Sequence, residues 1–370
     1  MKVKHSMNAY LLLFSLTLPF LWGMGKGDVV FQSQELQKLN LTALDEVAYI
    51  LDDKGDSIQI TSVIDEKGLL YWHRKLETEV CLTGECKVVN VGIYWYGTGE
   101  FMGLEVYGEQ LTKTDHSVFS REDYDQLIAI LQDDWSALRE YEFEELLDAK
   151  PTALDGVTGA TRKEIADEAV KGAVYTTYTL WHLIHEGEKE QLRSLMAGRL
   201  NQGDGSLLDA LSMDSNRRYR YFLLELYGAG KLKESETMKR LILGGITNKD
   251  DRYLSEQAFK ALMKVNFNDP AFQLDLARVY PDIQPKDKVR VLNALGTGID
   301  LTAGLYNSLI LDLPTNNEWF AAKIIETVKN YPKQAESVLN MAGKLAESEN
   351  SDVKRIALDF KHVHRRGLQE

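Results

Sequence analysis

Cysteine and proline are scarce in this chain of 370 residues. It has only two cysteines, Cys81 and Cys86, and seven prolines, none of them between residues 20 and 150. Two cysteines are too few for a disulfide-rich scaffold or a paired-cysteine zinc site. A chain of this length, with 44% hydrophobic residues, can bury substantial cores without such cross-links, and the length predicts two domains.

Positively charged residues are also fewer than negatively charged ones. The 43 Lys and Arg residues stand against 56 Asp and Glu residues, which gives a formal net charge of −13. A balance this acidic argues against a general nucleic-acid-binding or anionic-membrane surface, because both need an excess of cations. We therefore expect no nucleic-acid partner.

Long hydrophobic runs are missing as well. The apolar stretch from Ala9 to Trp22 is interrupted by Pro19 and is shorter than the about 20 residues that a membrane span needs. Lysines precede it, and the small residues Gly23 and Gly25 suit a cut before Lys26. The pattern predicts a secretory signal peptide over residues 1–25, a periplasmic or secreted mature protein and no direct membrane span. The alternative is an uncleaved anchor or a buried N-terminal helix.

The two cysteines lie close together in the segment Cys81-Leu-Thr-Gly-Glu-Cys86. In an exported chain, such a pair favours a local structural disulfide that fixes a tight turn. A redox-active dithiol is the alternative, although the spacing is not that of a Cys-x-x-Cys motif.

The first part of the mature chain is rich in predicted strands. Residues 57–64 and 69–76 predict one β-hairpin, and residues 88–96 and 100–107 predict a second one with a glycine-rich turn. The spacing of Gly97, Gly99 and Gly103 does not match a nucleotide-binding loop. A helix is predicted from Ser120 to about Leu147, with Ser120 and Asp123 at its start.

From about Glu190 the sequence predicts helices that recur with a period. Similar apolar segments are centred on Leu226, Leu262, Leu295, Val328 and Phe360, at steps of 36, 33, 33 and 32 residues. Such a period is typical of stacked helical pairs and resembles HEAT or armadillo-type repeats. An irregular helical bundle is the alternative.

The most informative segment is Asp155-Gly156-Val157-Thr158-Gly159-Ala160-Thr161. Gly159 and Ala160 lack bulk and leave room around the Thr161 hydroxyl. Residues 162–170 predict a helix, and free N–H groups at its start would favour the negative charge of a phosphate.

These residues resemble the FMN-binding domains of membrane-associated electron-transfer complexes, whose pattern is Asp-x-x-Ser/Thr-Gly-Ala-Thr. The fixed positions are filled by Asp155, Thr158, Gly159, Ala160 and Thr161. The resemblance implies that these five residues form the cofactor site. It also implies that a flavin transferase links FMN through a phosphodiester to Thr161 outside the cytoplasm.

A simpler interpretation of the motif is a helix cap. Thr161 and Glu164 have the spacing of a capping box, in which each side chain accepts a hydrogen bond from the other residue's backbone N–H. Capping explains neither Asp155 nor Ala160. The chain also has Arg162 where the family usually has a small hydroxylated residue.

Other candidate residues have simpler, structural interpretations. The aromatic stretch over residues 174–185 could flank a flavin ring, but we expect it to be helical core. His182 and His185 share a helix face without a visible third metal ligand, so solvated or hydrogen-bonded histidines are expected. Asp115 and His116 lie in a polar loop, where a general acid or base is only a hypothesis.

Together these features predict an exported two-domain protein. An α+β FMN-binding-like domain over residues 26–189 would be followed by an all-α, HEAT-like repeat domain over residues 190–370. FMN on Thr161 would pass electrons between redox partners docked by the repeats, which makes the chain an electron-transfer protein rather than a stand-alone enzyme. The alternative is an exported binding or scaffold protein whose FMN-binding-like domain is empty and divergent. An FMN-dependent reductase would need a substrate pocket that the sequence does not reveal.

Overall fold

A computed structural model describes residues 28–52, 55–80, 88–146, 161, 165–185 and 187–367. The predicted signal peptide, the two cysteines and motif residues 155–160 lie outside this part of the chain. The described residues contain six strands followed by a predominantly helical region. This order is compatible with the prediction of an α+β part followed by an all-α part.

The six strands form one antiparallel sheet with the order β1-β6-β5-β4-β3-β2. The strands are β1 (Val29–Gln32), β2 (Thr42–Leu51), β3 (Ser57–Ile64), β4 (Leu70–Thr78), β5 (Val89–Tyr96) and β6 (Phe101–Tyr107). Both predicted hairpins, β3–β4 and β5–β6, are confirmed.

Local chemistry explains the two hairpin turns. In the β3–β4 turn, the Asp65 carboxylate accepts hydrogen bonds from the backbone N–H groups of Lys67 and Leu69. In the β5–β6 turn, Gly99 has φ +90°, and a Cβ there would lie 2.6 Å from the Lys189 carbonyl oxygen. Glycine is therefore required at Gly99 by both conformation and space. The glycines of this segment serve a hairpin, as predicted.

Four helices flank the sheet: α1 (Gln34–Gln37), α2 (Arg121–Leu131), α3 (Val174–His185) and α4 (Glu188–Gln202). Two short 3-10 helices, Ala137–Glu140 and Phe143–Glu145, separate α2 from α3. One sheet face is apolar and includes the fully buried Trp72 and Trp95. It packs against α3, where the Trp95 indole donates to the Ile184 carbonyl at 3.5 Å.

The predicted helix from Ser120 is correct at its start and too long at its end. Ser120 and Asp123 form a reciprocal capping box at the start of α2, as the sequence indicates. The helix ends at Leu131 because polar side chains then bond to the backbone. The Asp133 carboxylate accepts from the Trp135 N–H, and the Ser136 hydroxyl accepts from the Leu138 N–H.

The C-terminal region contains ten further α-helices within the described residues. They are α5 (Ser206–Met213), α6 (Arg217–Gly228), α7 (Glu236–Ile246), α8 (Arg252–Leu262), α9 (Pro270–Val279), α10 (Pro285–Leu295), α11 (Ala303–Ile310), α12 (Glu318–Val328), α13 (Glu336–Leu345) and α14 (Ser351–Gly367). A third short 3-10 helix, Tyr280–Asp282, follows α9.

Alternate helices lie against one another in this region. The even-numbered helices α6, α8, α10, α12 and α14 form one series of contacts, and α5, α7, α9 and α11 form another. The five residues at the centres of the recurring segments all lie on the even-numbered helices, and all are buried. The period in the sequence therefore corresponds to every second helix.

The sheet and the helices share one continuous cluster of buried apolar side chains. The predicted boundary between residues 189 and 190 falls within α4. This helix also contacts the sheet through Arg199, which donates to the Ser62 hydroxyl at 2.8 Å and pairs with Glu46 at 2.5 Å. Helix α4 thus joins the two parts of the molecule.

Candidate functional site

Thr161 is the one predicted site residue that the structure describes. It is half-buried and lies in an isolated β-bridge. Asp155, Thr158, Gly159 and Ala160 lie outside the described residues, so the structure does not bring the five predicted residues together.

The segment that follows Thr161 differs from the prediction. The predicted α-helix over residues 162–170 is wrong for the described residues 165–170: Ile165 lies in a 3-10 helix, residues 166–169 form bends and turns, and α3 begins only at Val174. The Ala169 carbonyl accepts from the Gln126 side chain, and the Val170 N–H donates to the Thr177 hydroxyl. Such bonds replace helical ones.

Buried contacts fix this segment to the body of the molecule. Ile165, Ala169 and Val170 are buried. The Ser136 hydroxyl donates to the Glu168 carboxylate at 2.7 Å. Thr161 is therefore four residues away from a fixed position. Residues 165–170, however, do not provide the helix N-terminus that was expected to face a phosphate.

The aromatic stretch of α3 is mainly core, as expected. Tyr178 and Trp181 are buried, and each donates a hydrogen bond to a backbone carbonyl: Tyr178 to Tyr141 and Trp181 to Asp133, both at 2.9 Å. Phe143 stacks on Tyr175 with ring centroids 4.7 Å apart. The aromatic side chains thus tie α3 to the 3-10 helices.

The two histidines of α3 are hydrogen-bonded, as predicted. A ring nitrogen of His182 lies 3.3 Å from the Leu138 carbonyl oxygen, and one of His185 lies 3.0 Å from that of Leu131. Burial lowers the pKa of His185. Among the described residues, no group of three or more His, Cys, Asp or Glu side chains is arranged to hold a metal ion.

The loop containing Asp115 and His116 is held by local bonds. The Asp115 carboxylate accepts from both the hydroxyl and the backbone N–H of Ser117, and these bonds lower the pKa of Asp115. An aspartate that stays ionised in this way is a poor general acid. The geometry therefore gives no support to Asp115 as a general acid.

A chain of polar contacts connects the α2–α3 region with the C-terminal helices. Lys189 pairs with Asp134 at 2.5 Å and lies 3.8 Å from Glu100 in the β5–β6 turn. Arg193 lies 3.6 Å from Glu100 and pairs with Glu225 of α6 at 2.7 Å. These residues fix α4 and α6 against the turn.

The sheet face opposite the apolar one carries a polar cluster that sequence reasoning missed. The Glu105 carboxylate accepts hydrogen bonds from Tyr94 at 2.9 Å, Tyr107 at 2.5 Å and Gln32 at 2.8 Å. Burial raises the pKa of Tyr94 and of Tyr107, and the adjacent Glu105 raises both further. Both phenols therefore stay protonated and donate to the carboxylate.

His73 is the most unusual member of this polar face. It is only 2% exposed, and its ring lies 4.4 Å from that of Tyr94. Within the described part of the chain, neither ring nitrogen has a hydrogen-bond partner. Burial lowers the pKa of His73 to about 4. Successive side chains of a strand point to opposite faces of the sheet, and directly paired residues such as His73 and Tyr94 share a face. This alternation along β4, β5 and β6 is the sequence signal that could have placed these polar residues together.

No family model, curated protein or solved structure matches the chain. Within the described residues, no helix has the length and apolar character needed to cross a membrane.

Proposed function

We propose that this chain is an exported flavoprotein that carries FMN covalently on Thr161 and transfers electrons between redox partners docked by its helical repeats. The observation that carries the proposal is the sequence Asp155-Gly156-Val157-Thr158-Gly159-Ala160-Thr161. A flavin transferase is needed for maturation, and the protein would be periplasmic or secreted.

The surroundings of Thr161 support attachment in two respects. Thr161 is half-buried, so part of the residue is accessible to a transferase. The cations Arg162 and Lys163, which follow Thr161 directly in sequence, would neutralise charge on the attached phosphate.

The role of this chain is to hold the flavin rather than to perform acid–base chemistry. Bound FMN would supply the capacity to accept and release one or two electrons. The alternating contacts of helices α5 to α14 support a HEAT-like repeat domain, an architecture whose extended surfaces suit protein docking. The chain would thus bring a tethered cofactor and a docking surface together.

The test is to export the chain in cells that contain a flavin transferase and to precipitate it with acid, which removes non-covalent flavin. We expect flavin absorbance to remain with the precipitated chain and the Thr161→Val variant to lose it. Thr158→Ser is the matched control, because the pattern accepts either Ser or Thr at this position, and it should stay labelled. Flavin that persists on Thr161→Val would refute the site.

A second candidate function is an exported binding or scaffold protein with an empty, divergent FMN-binding-like domain. The bends and turns of residues 166–169 favour it, because the α-helix expected to follow Thr161 does not extend over these residues. In that case, neither the exported wild type nor any variant would carry flavin, and the helical region would be the functional part.

A further inference from the structure

We propose that the groove between helices α5, α6, α7 and α8 binds an acidic segment of a partner protein. The groove has a volume of about 610 Å³, and its lining includes Met213, Arg217, Arg220, Arg240 and Leu241. The proposal deepens the proposed function by naming the docking surface and the chemistry of the partner. It rests on that function only for the partner's redox role.

The three arginines give the groove an excess of positive charge. Arg217 and Arg240 have side chains that are 67% and 73% exposed, and their nearest ion pairs are long, at 3.5 Å to Asp251 and 3.8 Å to Asp209. Such exposed, long pairs contribute little energy, so both guanidinium groups can pair with another carboxylate. Arg220 donates to a backbone carbonyl, that of Asp214, at 2.6 Å.

This arginine group lies on a chain with a net charge of −13. Guanidinium groups bind carboxylates with two parallel hydrogen bonds, so a partner rich in Asp and Glu is the complementary ligand. A nucleic acid fits less well, because it carries a charge at every phosphate and would place some of them against Asp250 and Asp251, which also line the groove. A peptide can place its few carboxylates at the arginines alone.

Apolar groups in the same groove indicate a polypeptide rather than a small anion. Met213, at the end of α5, is 84% exposed. Met213 and Leu241 both line the groove, and a flexible methionine adapts to varied apolar side chains. The ligand should therefore be an acidic segment that also carries an apolar side chain.

The groove also has a defined position relative to the sheet. Arg217 lines both the groove and a neighbouring cavity that includes Glu100, Arg193 and Glu225. Glu100 belongs to the β5–β6 turn, so a segment in the groove would lie beside the junction of sheet and helices. In the proposed function, redox partners dock on the helical repeats, and this groove lies among the first of those helices.

The test measures binding of the full, flavin-free chain to a fluorescent peptide of Glu, Asp and Leu by fluorescence anisotropy. We expect binding that weakens as salt is added, and no binding of a peptide with Lys in place of Glu and Asp. The double variant Arg217→Glu/Arg240→Glu should bind at least about tenfold more weakly. Arg278→Glu on α9 is the matched control, since Arg278 is also 67% exposed, and it should bind like wild type.

If the double variant does not fold, peptide binding is measured with the milder variant Arg240→Gln, which should also bind more weakly than wild type. The proposal is overturned if wild type does not bind the acidic peptide or if Arg278→Glu loses as much affinity. It is equally overturned if single-stranded DNA binds more tightly, or if the groove variants only abolish self-association of the chain. Because no flavin is present, these results are independent of attachment at Thr161.

Discussion

Gly92 occupies a crowded point of the polar sheet face. A Cβ at this position would lie 2.6 Å from the Tyr107 hydroxyl and 3.1 Å from Nε2 of His73. The nearby Glu105 accepts the Tyr107 hydrogen bond, so displacement of Tyr107 would also disturb that carboxylate. A single glycine thus allows the buried polar cluster to form.

We predict that Gly92→Ala lowers the free energy of unfolding by about 1–3 kcal/mol, because the added methyl group overpacks this site. Gly198→Ala in α4 is the control, since nothing lies within 4 Å of its Cβ position and alanine favours a helix. Urea denaturation of both variants measures the difference. Equal stability of the two variants would contradict the crowded arrangement.

His73 predicts a dependence of stability on pH. Its pKa falls from 6.5 to about 4 on burial, so the unfolded chain takes up a proton at a higher pH than the folded chain does. The free energy of unfolding should therefore fall as the pH decreases from about 6.5 to about 4, by up to about 3 kcal/mol from this group.

The control for the His73 effect is His73→Phe, which keeps a ring beside Tyr94 but does not titrate. Its loss of stability between pH 6.5 and pH 4 should be smaller than that of wild type. Thermal unfolding at several pH values tests this. Parallel curves for the two proteins would exclude His73 as the cause.

Among the elements, α10 gives the clearest test of the helical layers. Leu295 is 3% exposed, and α10 lies between α8 and α12 in the series of even-numbered helices. Its replacement by a polar residue would remove a buried aliphatic group and bury an amide in an apolar setting.

We predict that Leu295→Asn destabilises the helical region by about 3–5 kcal/mol, from the lost apolar burial and the buried polar group. Leu358→Asn on α14 is the control, because Leu358 is 50% exposed, and its effect should stay within about 1 kcal/mol. Differential scanning calorimetry records both. Similar melting of the two variants would argue against the layered arrangement.

The sequence predicts elements best where the signal is local. The two hairpins and the Ser120–Asp123 cap depend on neighbouring residues and are confirmed. Residues 165–170 have a helical sequence, but their backbone bonds to Gln126 and Thr177, which lie on two other elements. Intrinsic helix propensity does not account for such tertiary contacts, so the helix prediction was wrong there.

At the scale of the whole molecule, the sheet and the helices share one cluster of buried apolar side chains. The buried apolar cluster continues from one to the other, and α4 crosses the predicted boundary. The motif at Thr161 could be found from the sequence because its residues are contiguous. The arginine groove could not, since Arg217 and Arg240 lie on different helices and meet only after folding.

The central claim is the covalent attachment of FMN, and its most direct test is peptide mass spectrometry of the exported chain. The account predicts that the peptide containing Asp155 to Thr161 carries one FMN linked through phosphate, with fragment ions that assign it to Thr161. An unmodified peptide from cells with an active flavin transferase, or a flavin assigned to Thr158, would contradict it.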